Sequence, residues 1–309
     1  MNMKISGVNM TPSCATKNCT TTKKQKKVKE KGSFRAAGAS QLTSLASIPV
    51  SLLSMVGMQK SAKGLSPEQI ATLNQVADKV LNGAGLAAKG VKIDNVTWAG
   101  LNLTGLPDSV YDMLNTYSAV ANGKNAAFLD KDAKNLFTGE ILHSKNTIIA
   151  NREKLPTALF HEMGHAFNKN SSKIFSVMQK MRIPSMVLAS LIPLFSAFTK
   201  KAEAEEGKEL TFAQKSKNFV RNNSGILTAA SMFPVVAEEA MASIRAGKWA
   251  NANLTKDLAK RVKTGNAWGL ASYVAVTAAL ALSATIATKV KDSIMEKQKA
   301  KTENLNNTK

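Results

Sequence analysis

A helix-rich α+β fold is what this sequence predicts, and three features of the chain predict it. Short β-like segments fall between residues 91 and 150, separated by turn and helical sequence. A strongly patterned helix follows them directly and carries two histidines four residues apart. The C-terminal half then holds three stretches without a single charge: 183–199 (17 residues), 222–237 (16) and 267–288 (22). The expected architecture is a small sheet beside the histidine-bearing helix, with apolar helices filling the C-terminal half. A length of 309 residues allows one good core or two small ones.

Residues 1–40 are expected to be a disordered basic tail. The first 35 residues hold eight Lys and one Arg against Glu30 alone, within a net charge of +21 for the chain. Such tails can touch anionic lipid. No aromatic residues interleave with the lysines, which argues against nucleic acid and for a solvated segment. Cys14 and Cys19 lie here without a second pair or a nearby histidine, so they form no zinc site. Residues 41–65 read as a weakly apolar linker or an anchor. The stretch 36–59 lacks charge, but it is rich in Ser and Thr and contains Pro49.

Order is expected to begin at Ser66. Ser66 is an N-cap, Pro67 suits the first helical position, and Gln69 completes a capping box. That helix should run to Asn82-Gly83. Strand-like sequence follows at 91–98, 126–129 and 141–150, clearest in Thr147-Ile148-Ile149-Ala150, with a helical stretch around 109–120. Residues 151–156 turn the last strand into the histidine helix. A strand placed in this way would pair with an extended substrate.

The helix carries His161-Glu162-Met163-Gly164-His165. Residues four apart share a helix face, so His161 and His165 can bind one zinc ion together. Glu162 is turned about 100° from the first histidine and can reach a water on the metal without ligating it, the position of a general base. Leu159, Phe160, Met163, Ala166 and Phe167 fall roughly 140°–260° from His161 and form an apolar face suited to a core. Thr157, Ala158 and Gly164, beside the histidines, are small and leave room for metal and substrate.

Zinc in a catalytic site takes three protein ligands. Ser171 and Asn168 stand where a metzincin pattern needs His and Gly, which excludes that class. No acidic residue lies between Glu162 and Glu203, and Glu203, Glu205, Glu206 and Glu209 belong to a Lys-rich polar linker. Glu238 and Glu239 lie in the otherwise apolar 235–244, where a carboxylate is costly to bury unless it is paired or on a metal. The residues alone leave open which of the two ligates, and whether the pair merely marks an exposed stripe.

The motif His161-Glu162-x-x-His165, an uncharged hairpin and a later Glu-x-x-Ala resemble membrane-embedded gluzincins: HtpX-like peptidases, CAAX prenyl-protein proteases and YugP-like zinc peptidases. The resemblance covers residues 140–290 and is specific at the two short motifs. It implies a zincin core, zinc, cleavage of protein or peptide substrates, and a centre near the membrane surface. It also implies Glu239 as the metal ligand, with Ala242 matching. Ser243 stands where the first two groups have an Asp that supports the site, and its hydroxyl can still hydrogen-bond.

The resulting organisation is a catalytic core at 66–180, apolar helices at 181–290 that include a third-ligand helix at 235–247, and a basic tail at 291–309. The expected reaction is amide hydrolysis by metal-activated water with Glu162 as base. His143, Tyr111, Tyr117 and Tyr273 are candidates to stabilise the oxyanion. Residues 267–288 are long enough to cross a bilayer, and 183–199 is borderline, so the expected location is a membrane. Core helices of a soluble domain are the alternative. The rival function is a membrane-associated binding or scaffold protein with a degenerate zinc site and the basic tail as its working part.

Overall fold

The computed structural model describes residues 33–39, 41, 56–97, 117–134, 139, 141–205 and 207–307. The two cysteines, Tyr111 and most of the 1–40 and 109–120 segments lie outside these. Residues 33–39, expected within the disordered tail, are helical, and Ala36 is fully buried beside Ala197 and Ala287.

The chain is helix-rich α+β. Helix α1 (Pro67–Gly83) starts with the expected capping box, Ser66 accepting from the Gln69 N–H while the Gln69 side chain accepts from Ser66. Strands β1 (Lys92–Asn95), β2 (Ala126–Leu129), β3 (Ala133–Lys134), β4 (Ile141–His143) and β5 (Thr147–Ala150) follow. The 141–150 run is thus two strands. Asn146, at φ 62°, makes the turn between them, a conformation that asparagine tolerates better than most residues. β3 and β4 pair with each other, and the other three form a sheet in the order β1-β5-β2.

β5 is therefore the central strand, parallel to β1 and antiparallel to β2, with Ala150 opposite Ala126 and Ile148 opposite Phe128. All four of its residues are buried. Both of its edges are occupied, so the strand read as a substrate partner cannot accept one. β2 has one neighbour and is an edge among the described residues.

Helix α2 (Leu159–Ser171) follows a short 3-10 turn at Pro156–Ala158. Its Leu159, Phe160, Met163 and Ala166 are fully buried, as the apolar face requires. They join Leu73, Ala77 and Ile148 on one side and Ala246, Ala250, Leu258 and Val262 on the other in a single core.

Beyond α2 run α3 (Lys173–Lys180), α4 (Arg182–Phe198), α5 (Phe212–Asn222), α6 (Ser224–Asn253) and α7 (Lys256–Asn307). The expected polar linker is part helix: α5 opens on a capping box of Thr211 and Gln214. α6 and α7 are each long and apolar enough to cross a membrane. α3 and α4 together meet the same test as a pair bent by 48°. Ile183, Val187, Leu188 and Leu191 of α4 are each more than half exposed. α4 and α7 both pack against α6, returning the chain to the face of α2. At the end of the bundle remote from α2, buried Arg221 pairs with Asp292 and donates to the Ser196 carbonyl at 2.9 Å.

Candidate metal centre

The crossing of α2 and α6 sets the site. A side-chain carbon added to Gly164 would lie 2.5 Å from the Ala242 carbonyl oxygen and 2.8 Å from its Cα. Gly164 is therefore small because another backbone passes there, whereas the sequence suggested room for substrate. Ala242, fully buried, is the other half of that contact. Gly164→Ala should force the helices apart and cost about 1–3 kcal/mol. Thermal unfolding and metal affinity measured on the same variant should fall together, and an unchanged affinity would show that the crossing does not control the site.

The crossing brings together every site residue named from the motifs. His161 Nε2 is 3.2 Å from Glu239 Oε2 and 3.0 Å from His165 Nε2, and His165 Nε2 is 3.5 Å from Glu239 Oε2. These three side chains form a group that could hold a metal ion. Glu162 is 7% exposed and lies outside that group, on the wall of a cavity of about 610 Å³ that also reaches the three side chains.

Each member has a partner of its own. Ser243 Oγ is 3.3 Å from His161 Nδ1, where the resemblance placed a supporting residue. Glu238 takes the other histidine, with Oε2 2.8 Å from His165 Nδ1. Glu239 turns its second oxygen, Oε1, to Arg182 Nη2 at 2.7 Å. Glu238 and Glu239 are adjacent, yet they serve the site at two different depths.

Glu238 is itself held. Asn168 Nδ2 and Gln179 Nε2 donate to its Oε1 at 3.0 and 2.7 Å. Gln179 also donates to the His165 carbonyl at 2.8 Å, and Arg245 Nε donates to Asn168 Oδ1 at 2.7 Å. A fully buried pair of adjacent acids is sustainable only with such donors around it. Burial disfavours charge on His165, but the Glu239 and Glu238 carboxylates outweigh it and hold its proton well above the usual histidine range. To ligate a metal, this imidazole must give that proton up.

Asn168, Gln179, Arg182 and Arg245 were missed in the sequence. Asn168 was noticed only as a mismatch to another pattern, although it stands three residues after His165 on the same helix. Of the oxyanion candidates, Tyr273 lines the cavity and hydrogen-bonds Arg182, whose guanidinium carbon is 5.1 Å from the ring centre. His143 instead pairs with Asp94 at 2.9 Å and stacks on Tyr117. Neither of those two lines the cavity. Glu203, Glu205 and Glu209 are exposed, as expected for the linker. Comparison of the chain with family models, with curated proteins and with solved structures found no match.

Proposed function

We propose that this chain is a membrane-embedded zinc peptidase with His161, His165 and Glu239 as ligands and Glu162 as general base. The observation that carries the reading is the spacing of the ligand atoms. Tetrahedral zinc with nitrogen and oxygen ligands at 2.0–2.2 Å needs those atoms about 3.3–3.6 Å apart. The three separations are 3.0, 3.2 and 3.5 Å, one within that range and two short of it, so the two histidine nitrogens and the carboxylate would spread by a few tenths of an ångström around the ion. Two imidazoles and one carboxylate are a donor set suited to zinc, and a separate partner for each ligand is what a metal site needs to fix ligand orientation.

Bound zinc supplies Lewis acidity toward the scissile carbonyl and toward water. The chain does the rest. Glu162 accepts the proton of the attacking water and returns it to the leaving amine. Its low exposure keeps bulk water from competing for that role. The Tyr273 hydroxyl, which accepts from Arg182 and lines the cavity, is the oxyanion candidate that the cavity retains. An extended substrate adds to the side of β2 that has no partner among the described residues, and its Ala126, Ala127 and Phe128 line the cavity.

Membrane embedding is supported by the two long apolar helices and by the exposed apolar face of α4. The full chain should stay with bilayers through alkaline carbonate extraction, and release into the soluble fraction without detergent would remove the membrane part of the reading. The test of the centre is metal content. Purified protein should carry about one zinc per chain, and His161→Ala should carry essentially none. Equal metal in both, or zinc without peptide hydrolysis, would leave a binding protein with a degenerate site.

A further inference from the structure

We propose that the cleft beside the metal centre selects peptides with acidic side chains flanking the bond to be cut, an inference that rests on the peptidase reading. Lys124 precedes β2 and Lys131 follows it, and both reach the cavity. Six residues of largely extended chain lie between them and set them roughly 20 Å apart, the length of about six substrate residues. Lys180, at the end of α3, reaches the same cavity. All three lysines are exposed, and among the described residues none forms an ion pair with an acid.

The carboxylates of the cavity cannot neutralise them. Asp130 is held by Lys169 at 3.0 Å. Glu239 faces Arg182 and the histidines, and Glu162 is buried beside the centre. A peptide lying along the β2 edge therefore meets a cation at each end and another from the α3 end. Lysines outside any ion pair along a cleft concentrate ligands of the opposite sign. Acidic side chains on both sides of the scissile bond satisfy that arrangement, and basic ones are repelled.

The test uses the full chain, zinc-loaded, in uncharged detergent. Peptides identical except for Glu, Gln or Lys at positions three residues either side of the cleaved bond are compared by kcat/KM. Their affinity for Glu162→Gln is measured in parallel. The Glu peptide should exceed the Lys peptide by about tenfold or more, and the difference should shrink in about 0.5 M salt. Lys124→Glu and Lys131→Glu, with zinc content verified, should each remove much of the preference and together reverse it. Equal values for all three peptides, or a preference that these variants do not change, overturns the proposal. A preference for anionic vesicles with none among peptides also overturns it, in favour of a lipid surface. Acidic peptides bound selectively but never cleaved would sink the peptidase reading and leave the charge selection standing.

Discussion

Glu239→Ala is expected to strip the centre of metal, whereas Glu238→Ala should weaken metal binding by about 10–100-fold. The two residues are neighbours in sequence and both are almost completely buried, so composition and burial do not separate them. Geometry does. Glu239 Oε2 is 3.2 Å from one histidine Nε2 and 3.5 Å from the other, and Glu238 meets only the remote nitrogen of His165. Removing Glu239 deletes a ligand and leaves Arg182 unpaired at the centre, while removing Glu238 loosens one imidazole that still points at the ion. Zinc per chain, followed by competition against a chelator, distinguishes the two. The opposite order of effects would mean that the ligand register is wrong by one residue, and it would cancel the supporting roles of Ser243 and Arg182 as well.

Glu162→Gln should keep its zinc and lose about 10²–10⁴ in turnover. The amide has the size and shape of the carboxylate but cannot accept a proton from water. Glu162 is no member of the ligand group, so metal content should not change. Peptide cleavage at the wild-type rate with zinc bound would falsify the assignment of Glu162 as the base. Loss of metal in the same variant would place Glu162 among the ligands.

What was legible in the sequence is what local chemistry dictates. Ser66, Pro67 and Gln69 interact within one turn, so the start of α1 could be read to the residue. The apolar face of α2 follows from helical period alone, and each of its predicted members packs inward. Glu238 and Glu239 stood out together because carboxylates in an apolar stretch demand an explanation, and only the resemblance chose between them. Non-local pairing was not legible. β5 has the composition of a strand, but whether it is an edge or a centre depends on β1 and β2, which lie about 50 and 20 residues away. Gly164 signals small size without saying whether a substrate or a backbone needs the space. Arg182 stands at the border of an uncharged run, where a cation ordinarily marks an interface, and nothing local reveals that it reaches a buried acid. The capping box inside the polar linker 200–223 was overlooked because lysines dominate its composition, although Thr211 and Gln214 carry the same signal as Ser66 and Gln69.

The backbone contact between Gly164 and Ala242 has a consequence for measurement. Both histidines sit on one helix, both glutamates and Ser243 on the other, and the contact lies between them with no side chain to absorb a shift. Two helices that slide or rotate by an ångström must carry the ligand atoms with them. On the proposed zinc reading, metal affinity would report strain at the crossing. α6 is also one of the two helices long and apolar enough to traverse a bilayer, so on the proposed membrane reading lipid thickness and detergent choice would become variables of metal chemistry. Affinities obtained in different amphiphiles would map how firmly the surrounding bundle clamps that joint.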